Sequence, residues 1–151
     1  MVQFVLSGKC AGGSGRLLQI IARVLQVKVE DIGPLSLQSR KRVEFSTGCV
    51  VFSESEAVSR IAEGAAKEDL LAGIHRALAA QLNSLAERIR VDMDLALVGG
   101  GARDAGLVKA LQEMRNHEII VPEDPTMTGA LGAAIIASSD KTHQNVKRRS
   151  F

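Results

Sequence analysis

Apolar residues along this chain alternate between short continuous runs and helical spacing, with glycine-containing turns at the switches. Val2 to Leu6 is a short β-favouring run, and Leu17, Leu18, Ile21, Val24 and Leu25 follow at helical intervals, which predicts strand, loop and helix. Val27 to Pro34 carries a weaker pattern and reads as a surface connection leading to the solvated basic run Arg40-Lys41-Arg42 and then to Val43-Glu44-Phe45. Ser46-Thr47-Gly48-Cys49 is a polar turn that opens a second helix, marked by Phe52, Ser55, Val58, Ile61 and Ala62 and interrupted at Gly64. The stripe Leu70, Ile74, Leu78, Leu82, Leu85 and Ile89 predicts a long packing helix. His75 stands one position beyond that stripe and is expected on the helix surface.

Leu95 to Val98 reads as a buried strand entering Gly99-Gly100-Gly101-Ala102, and Leu107, Val108, Leu111 and Met114 mark the helix after it. Glu118 to Val121 is a further strand and Pro122 to Pro125 a turn. Met127, Ala130, Leu131, Ala134 and Ile135 form the apolar face of a helix built of small residues. The pattern stops after Ala137, so residues 1–137 read as one α/β lobe and residues 138–151 as a basic, flexible tail.

Composition narrows the class. A chain of 151 residues with 46% hydrophobic content has enough apolar side chain for one real core. The formal net charge of +2, with much of the excess in the tail, is too small for a nucleic-acid field, and an aromatic set of Phe4, Phe45, Phe52 and Phe151 argues against base stacking. No apolar run approaches the roughly 18 residues of a membrane span, and the start lacks the form of a secretory leader, so the expected location is the cytoplasm. There, two cysteines are expected to be free, catalytic or metal-bound rather than a structural disulfide.

Chemistry gathers in the glycine-bearing loops. Gly12, Gly13 and Gly15 let backbone approach a bound group, Ser14 and the following amides can donate to phosphate, and Cys10 adds a soft ligand. A P-loop ending at Gly8-Lys9 requires glycine where Gln3 stands and Ser or Thr where Cys10 stands. The Gly99 loop fails the dinucleotide spacing because Asp104 replaces its third glycine. Two strand–glycine–helix turns in one α/β chain remain open to two readings, a split nucleotide site or tight turns alone. Cys10 and Cys49 each lie at a predicted helix start, where amides and the helix dipole stabilise thiolates. His75, His117 and His143 form no zinc spacing with them. A twofold dimer would bring four thiolates to one iron–sulfur cluster, and two unrelated buried cysteines are the alternative.

Lys9-Cys10-Ala11-Gly12-Gly13-Ser14-Gly15-Arg16 resembles the KCAAGTGR signature of the CoA-enzyme activases, the ATP-dependent activators of 2-hydroxyacyl-CoA dehydratases, whose family includes ATP-binding subunits of benzoyl-CoA reductase. Ser46 to Glu56 is similar to that family's second cysteine motif. Val98-Gly99-Gly100-Gly101-Ala102 with Gly106-Leu107-Val108 resembles its adenosine motif. Pro122-Glu123-Asp124-Pro125 and Gly129 to Ala134 resemble its C-terminal signature.

The resemblance implies the C-terminal, ribonuclease-H-like lobe of the sugar-kinase, chaperone and actin superfamily. It implies Cys10 and Cys49 as ligands of a 4Fe-4S cluster shared by a homodimer or pseudo-symmetric heterodimer. Gly12, Gly13, Ser14 and Gly15 would face the phosphates of ATP with Mg, Gly100 and Gly101 the adenosine, and Thr126 the base, where Gln is usual. The implied function is an activator coupling ATP hydrolysis to low-potential electron transfer into an acyl-CoA dehydratase or benzoyl-CoA reductase.

Two substitutions and one missing part depart from that pattern. Gly8 stands where Asp is common, which removes a carboxylate that could place magnesium or water, and Ser14 replaces Thr while keeping the hydroxyl. The chain is expected to lack the N-terminal lobe whose Asp-Gly-rich hairpin supplies the first phosphate loop. The other readings are a non-hydrolysing cluster-binding electron-transfer or assembly subunit, and a nucleotide-binding lobe without a cluster.

Overall fold

Helix α1 (Gly15–Leu25) forms where the first helical stripe predicts it and buries Leu17, Leu18, Ile21, Ala22 and Leu25. It ends in a paired closure: Gln26 adopts φ 53°, its N–H donates to Arg23 O at 3.2 Å, and Val27 N–H donates to Ala22 O at 3.0 Å. This is a Schellman-type stop, with glutamine in the left-handed position that glycine usually fills. These features belong to a computed structural model that describes residues 4–6, 15–41, 43–45, 50–89 and 94–139.

A 3-10 turn at Val29–Asp31 leads into the short α2 (Ile32–Ser36), which buries Ile32. Helix α3 (Val50–Ala62) packs on α1 and stops in the same Schellman geometry, here with Gly64 at φ 86° and Ala65 N–H donating to Arg60 O at 3.0 Å. Helix α4 (Lys67–Arg88) is the spine. Leu70, Leu71, Ile74 and Leu78 are each at most 2% exposed, and α2 and α5 (Ala105–Arg115) lie against them. Its first turn is tied to the preceding segment by Asp69, which accepts from Arg40 N–H and Lys41 N–H at 2.8 Å and from Ser39 Oγ at 2.9 Å. Next along, Gly73 admits the Val43–Phe45 segment, since a Cβ there would meet Val43 O and lie 3.0 Å from Phe45 Cδ2.

Strands β1 (Leu95–Ala96) and β2 (Ile119–Ile120) pair in parallel, Leu95 opposite Ile119 and Ala96 opposite Ile120, with α5 as the crossover. Leu97 N–H extends the ladder to Ile120 O at 2.9 Å. Helix α6 (Thr128–Ser139) follows β2.

Four expectations need correction. Phe4–Leu6 pairs with no strand among the described residues, and Phe4 and Leu6 are 66% and 77% exposed, because an apolar run becomes a strand only where another strand takes its backbone groups. The Leu95–Val98 strand is half-covered rather than buried: Leu95 and Leu97 face the helices, whereas Ala96 and Val98 alternate to the open face. His75 is buried at 1% exposure, since α5 packs over the flank of α4 beside the leucine stripe. The apolar face of α6 covers nothing described, and Leu131, Ile135 and Ile136 are all more than half exposed.

Candidate functional site

The two glycine-bearing loops meet. Gly15 opens α1, and a Cβ placed on it would lie 3.7 Å from Gly101 N, ordinary contact distance across the seam between the α1 N-terminus and the Gly100–Arg103 3-10 turn. The turn is entered through Gly99 at φ 88°, a left-handed conformation that favours glycine. Gly99 N–H donates to Pro125 O at 2.7 Å, and Ala102 N–H donates back to Gly99 O at 3.1 Å. Ala102 is buried beneath the turn, while Gly100 is exposed and a Cβ on it would meet nothing within 4 Å. A narrow backbone-lined cradle results, with space above Gly100 and free amides at the start of α1. A helix N-terminus beside a glycine turn suits phosphate and the flat face of a nucleoside.

One wall is the loop from Asp124 to Thr126. Thr126 Oγ1 donates to Asp124 Oδ1 at 2.6 Å, and Thr126 N–H donates to the same oxygen at 3.2 Å. Arg103, from the glycine turn, donates to Asp124 Oδ1 at 3.1 Å and to Thr126 Oγ1 at 3.2 Å. The Thr126 hydroxyl first, and the Arg103 guanidinium next, hold the Asp124 carboxyl below its ordinary value. Arg103 thus fastens the loop carrying Thr126 to the loop carrying Gly100 and Gly101, and its side chain stays 63% exposed at the cradle's rim.

Behind the turn stands Asp104. Its Oδ1 accepts from Gly106 N–H at 2.9 Å and Leu107 N–H at 3.1 Å, capping α5, and its Oδ2 faces His75 Nε2 at 3.2 Å. A Cβ at Gly106 would fall 2.5 Å from His75 Nδ1 and against Ser36 Oγ, so the close approach of α5 to α4 requires glycine there.

Of the residues singled out in the sequence, Gly15, Gly100, Gly101 and Thr126 are brought to this one cradle. Gly12, Gly13, Ser14, Cys10 and Cys49 lie outside the described residues. What is described is that the helices following the two cysteine loops, α1 and α3, pack together. Among the described residues no group of three or more His, Cys, Asp or Glu is arranged to hold a metal ion, and no helix is long and apolar enough to cross a membrane. The sequence reading missed Arg103, Asp104 and Asp124. Asp104 had a signal, an acidic residue just before a helical apolar stripe. Arg103 had none, because its partners lie more than 20 positions away, 21 to Asp124 and 23 to Thr126.

Comparison with known proteins agrees with this geometry. A sequence profile described as the BadF/BadG/BcrA/BcrD ATPase family matches residues 1–137. The 2-hydroxyisocaproyl-CoA dehydratase activator of Clostridioides difficile is 44% identical over 137 residues, which are 91% of this chain and 52% of that protein. The (R)-2-hydroxyglutaryl-CoA dehydratase activating ATPase of Acidaminococcus fermentans is 42% identical over 137 residues, 91% of this chain and 53% of that protein. A solved structure of the activator of the 2-hydroxyisocaproyl-CoA dehydratase from Clostridium difficile with bound ADPNP superposes with a TM-score of 0.88 at 40% identity, over 100% of this chain and 57% of that one. The α/β fold is that of the sugar-kinase, chaperone and actin superfamily. The chain spans about half the length of the relatives it matches.

Proposed function

The chain belongs to the BadF/BadG/BcrA/BcrD ATPase family, and on that premise we propose that it is the C-terminal lobe of an activator that binds ATP and a shared iron–sulfur cluster and delivers low-potential electrons to an acyl-CoA dehydratase. The observation that carries this reading is the seam where the α1 N-terminus meets the Gly100–Arg103 turn, with Gly15 opposite Gly101 N at 3.7 Å. Backbone amides at Gly15 and the preceding Gly12, Gly13 and Ser14 take the phosphates, Gly100 and Gly101 lie against the nucleoside, and Thr126, held by Arg103, flanks the base. Phosphate charge is met by amide dipoles, and the open space above Gly100 leaves room for a ring stacked on backbone. Magnesium, when present, rides with the nucleotide.

Cys10 and Cys49 are the chain's two candidate cluster ligands, and two chains would supply the four thiolates a 4Fe-4S cluster needs. The packing of α1 on α3 supports this assignment, because movement at the phosphate end of α1 would then be felt at the helix that follows Cys49. When bound, the cluster would supply one-electron chemistry at low potential. The two relatives named above support a dehydratase rather than a reductase as the partner.

Gly8 favours a second reading, a nucleotide- and cluster-binding subunit that does not hydrolyse ATP, since a carboxylate is absent from the position where the resemblance has Asp. Anaerobic ATP binding and ATP hydrolysis by the full chain, each measured alone and with a relative's N-terminal half supplied separately, decide between the two. Binding with hydrolysis supports the activator, and binding without hydrolysis in either setting supports the second reading. Failure to bind any adenine nucleotide overturns both.

A further inference from the structure

A separate cavity of ≈ 180 Å³ lies between α2, α4 and α5, lined by Ser36, Ser39, His75, Arg76, Lys109 and Glu113 among others. It holds far more than one water, which needs about 10–15 Å³ of such space. His75 is 1% exposed, yet its Nδ1 has no hydrogen-bond partner among the described residues. The ring's orientation follows from its other nitrogen. Asp104 Oδ1 is taken by the two α5 amides and Oδ2 is an acceptor, so Nε2 carries the proton and Nδ1 presents a lone pair. Nδ1 lies beside Gly106 and Ser36, both of which line the cavity, so this lone pair is aimed into it. The Ser36 hydroxyl cannot satisfy it, because that proton is given to Gly33 O at 2.7 Å.

The remaining walls indicate what does. Arg76 spends one donor on Val43 O at 3.0 Å and keeps others, and Lys109 pairs only loosely with Glu113 at 3.9 Å. A ligand that donates one O–H to Nδ1 and offers anionic oxygens to two cations matches this set. We propose that the cavity between α2, α4 and α5 binds a small protonated oxyanion such as hydrogenphosphate, with its hydroxyl on His75 Nδ1 and its anionic oxygens toward Arg76 and Lys109. The site is distinct from the glycine cradle and stands or falls independently of nucleotide binding.

The test follows the three histidine rings of the full-length, 15N-histidine-labelled chain by long-range proton–nitrogen correlation, assigned with His117→Gln and His143→Gln. Inorganic phosphate is expected to shift His75 Nδ1 saturably, whereas sulfate at matched ionic strength, which carries no O–H, leaves it in place. Lys109→Ala, at an exposed position that the fold does not need, raises the half-saturating phosphate concentration roughly fivefold. Arg103→Ala, at the other site, leaves the response unchanged. No saturable shift, an equal response to sulfate, or indifference to Lys109→Ala each overturns the proposal and leaves the cavity to water.

Discussion

A Cβ on Gly15 would lie 3.7 Å from the backbone nitrogen of Gly101, so two loops far apart in the chain meet with room for one methyl group and nothing larger. Gly15→Ala should therefore fold normally, with stability within about 0.5 kcal/mol of wild type by chemical unfolding. Its added methyl would occupy the seam assigned to the nucleotide, and adenine-nucleotide affinity by calorimetry should fall roughly tenfold or more. Unchanged affinity in a folded Gly15→Ala protein would remove the seam from the binding site.

Arg103 bridges the two walls of the cradle through Asp124 and Thr126. Because this ion pair is exposed, Arg103→Ala should cost less than about 1 kcal/mol of stability. It frees the Thr126 loop, so nucleotide affinity should drop well beyond what that small change in stability implies. Asp124 titrates below its ordinary 3.8, so its network is complete above that value and is lost as pH falls through the lowered native pKa. Titration of the Asp124 carboxyl by NMR should show its midpoint returning toward 3.8 in Arg103→Ala.

Asp69 ties Ser39, Arg40 and Lys41 to the first turn of α4, and the Lys41 and then the Arg40 amides hold its carboxyl below 3.8. A lowered native pKa means that the stabilisation is full above 3.8 and disappears as pH drops through the native value. Asp69→Asn should accordingly be less stable than wild type at neutral pH, with the gap closing in strong acid. Urea unfolding across that range measures it, and a gap independent of pH would assign the loss to packing instead.

Gly106→Ala places a Cβ 2.5 Å from His75 Nδ1, with backbone on one side and a buried ring on the other. Overpacking of this kind costs about 1–3 kcal/mol, read as a lower urea midpoint with an unchanged slope. Asp104→Ala should cost about as much, because it uncaps α5 and removes the partner of a buried histidine.

If Cys10 and Cys49 are cluster ligands, anaerobic reconstitution should yield about four iron and four sulfide per dimer. Cys10→Ser and Cys49→Ser should each abolish the absorbance of the cluster. A colourless wild-type dimer after reconstitution would refute the assignment.

The stripe Leu17, Leu18, Ile21 and Leu25 and the stop at Gly64 were legible in order of residues alone, because helix period and left-handed glycine are local properties. So were the strand–glycine–helix turn at Gly99–Gly101 and the resemblance carried by residues 9–16 and 98–108, which the match to the family over residues 1–137 bears out. Long-range packing decided the rest. His75 looked like a surface residue because its position beside the leucine stripe says nothing about α5, which covers it. Phe4–Leu6 looked like a strand because an apolar run does not say whether another strand is there to pair with it. Arg103, Asp124 and Thr126 became a unit, and Gly15 a neighbour of Gly101, only when β2 was laid beside β1 in register and α5 was folded back on α4. Sequence sets each local conformation through dihedral preference and apolar spacing, whereas a site made from separate loops exists only after the core has brought those loops together.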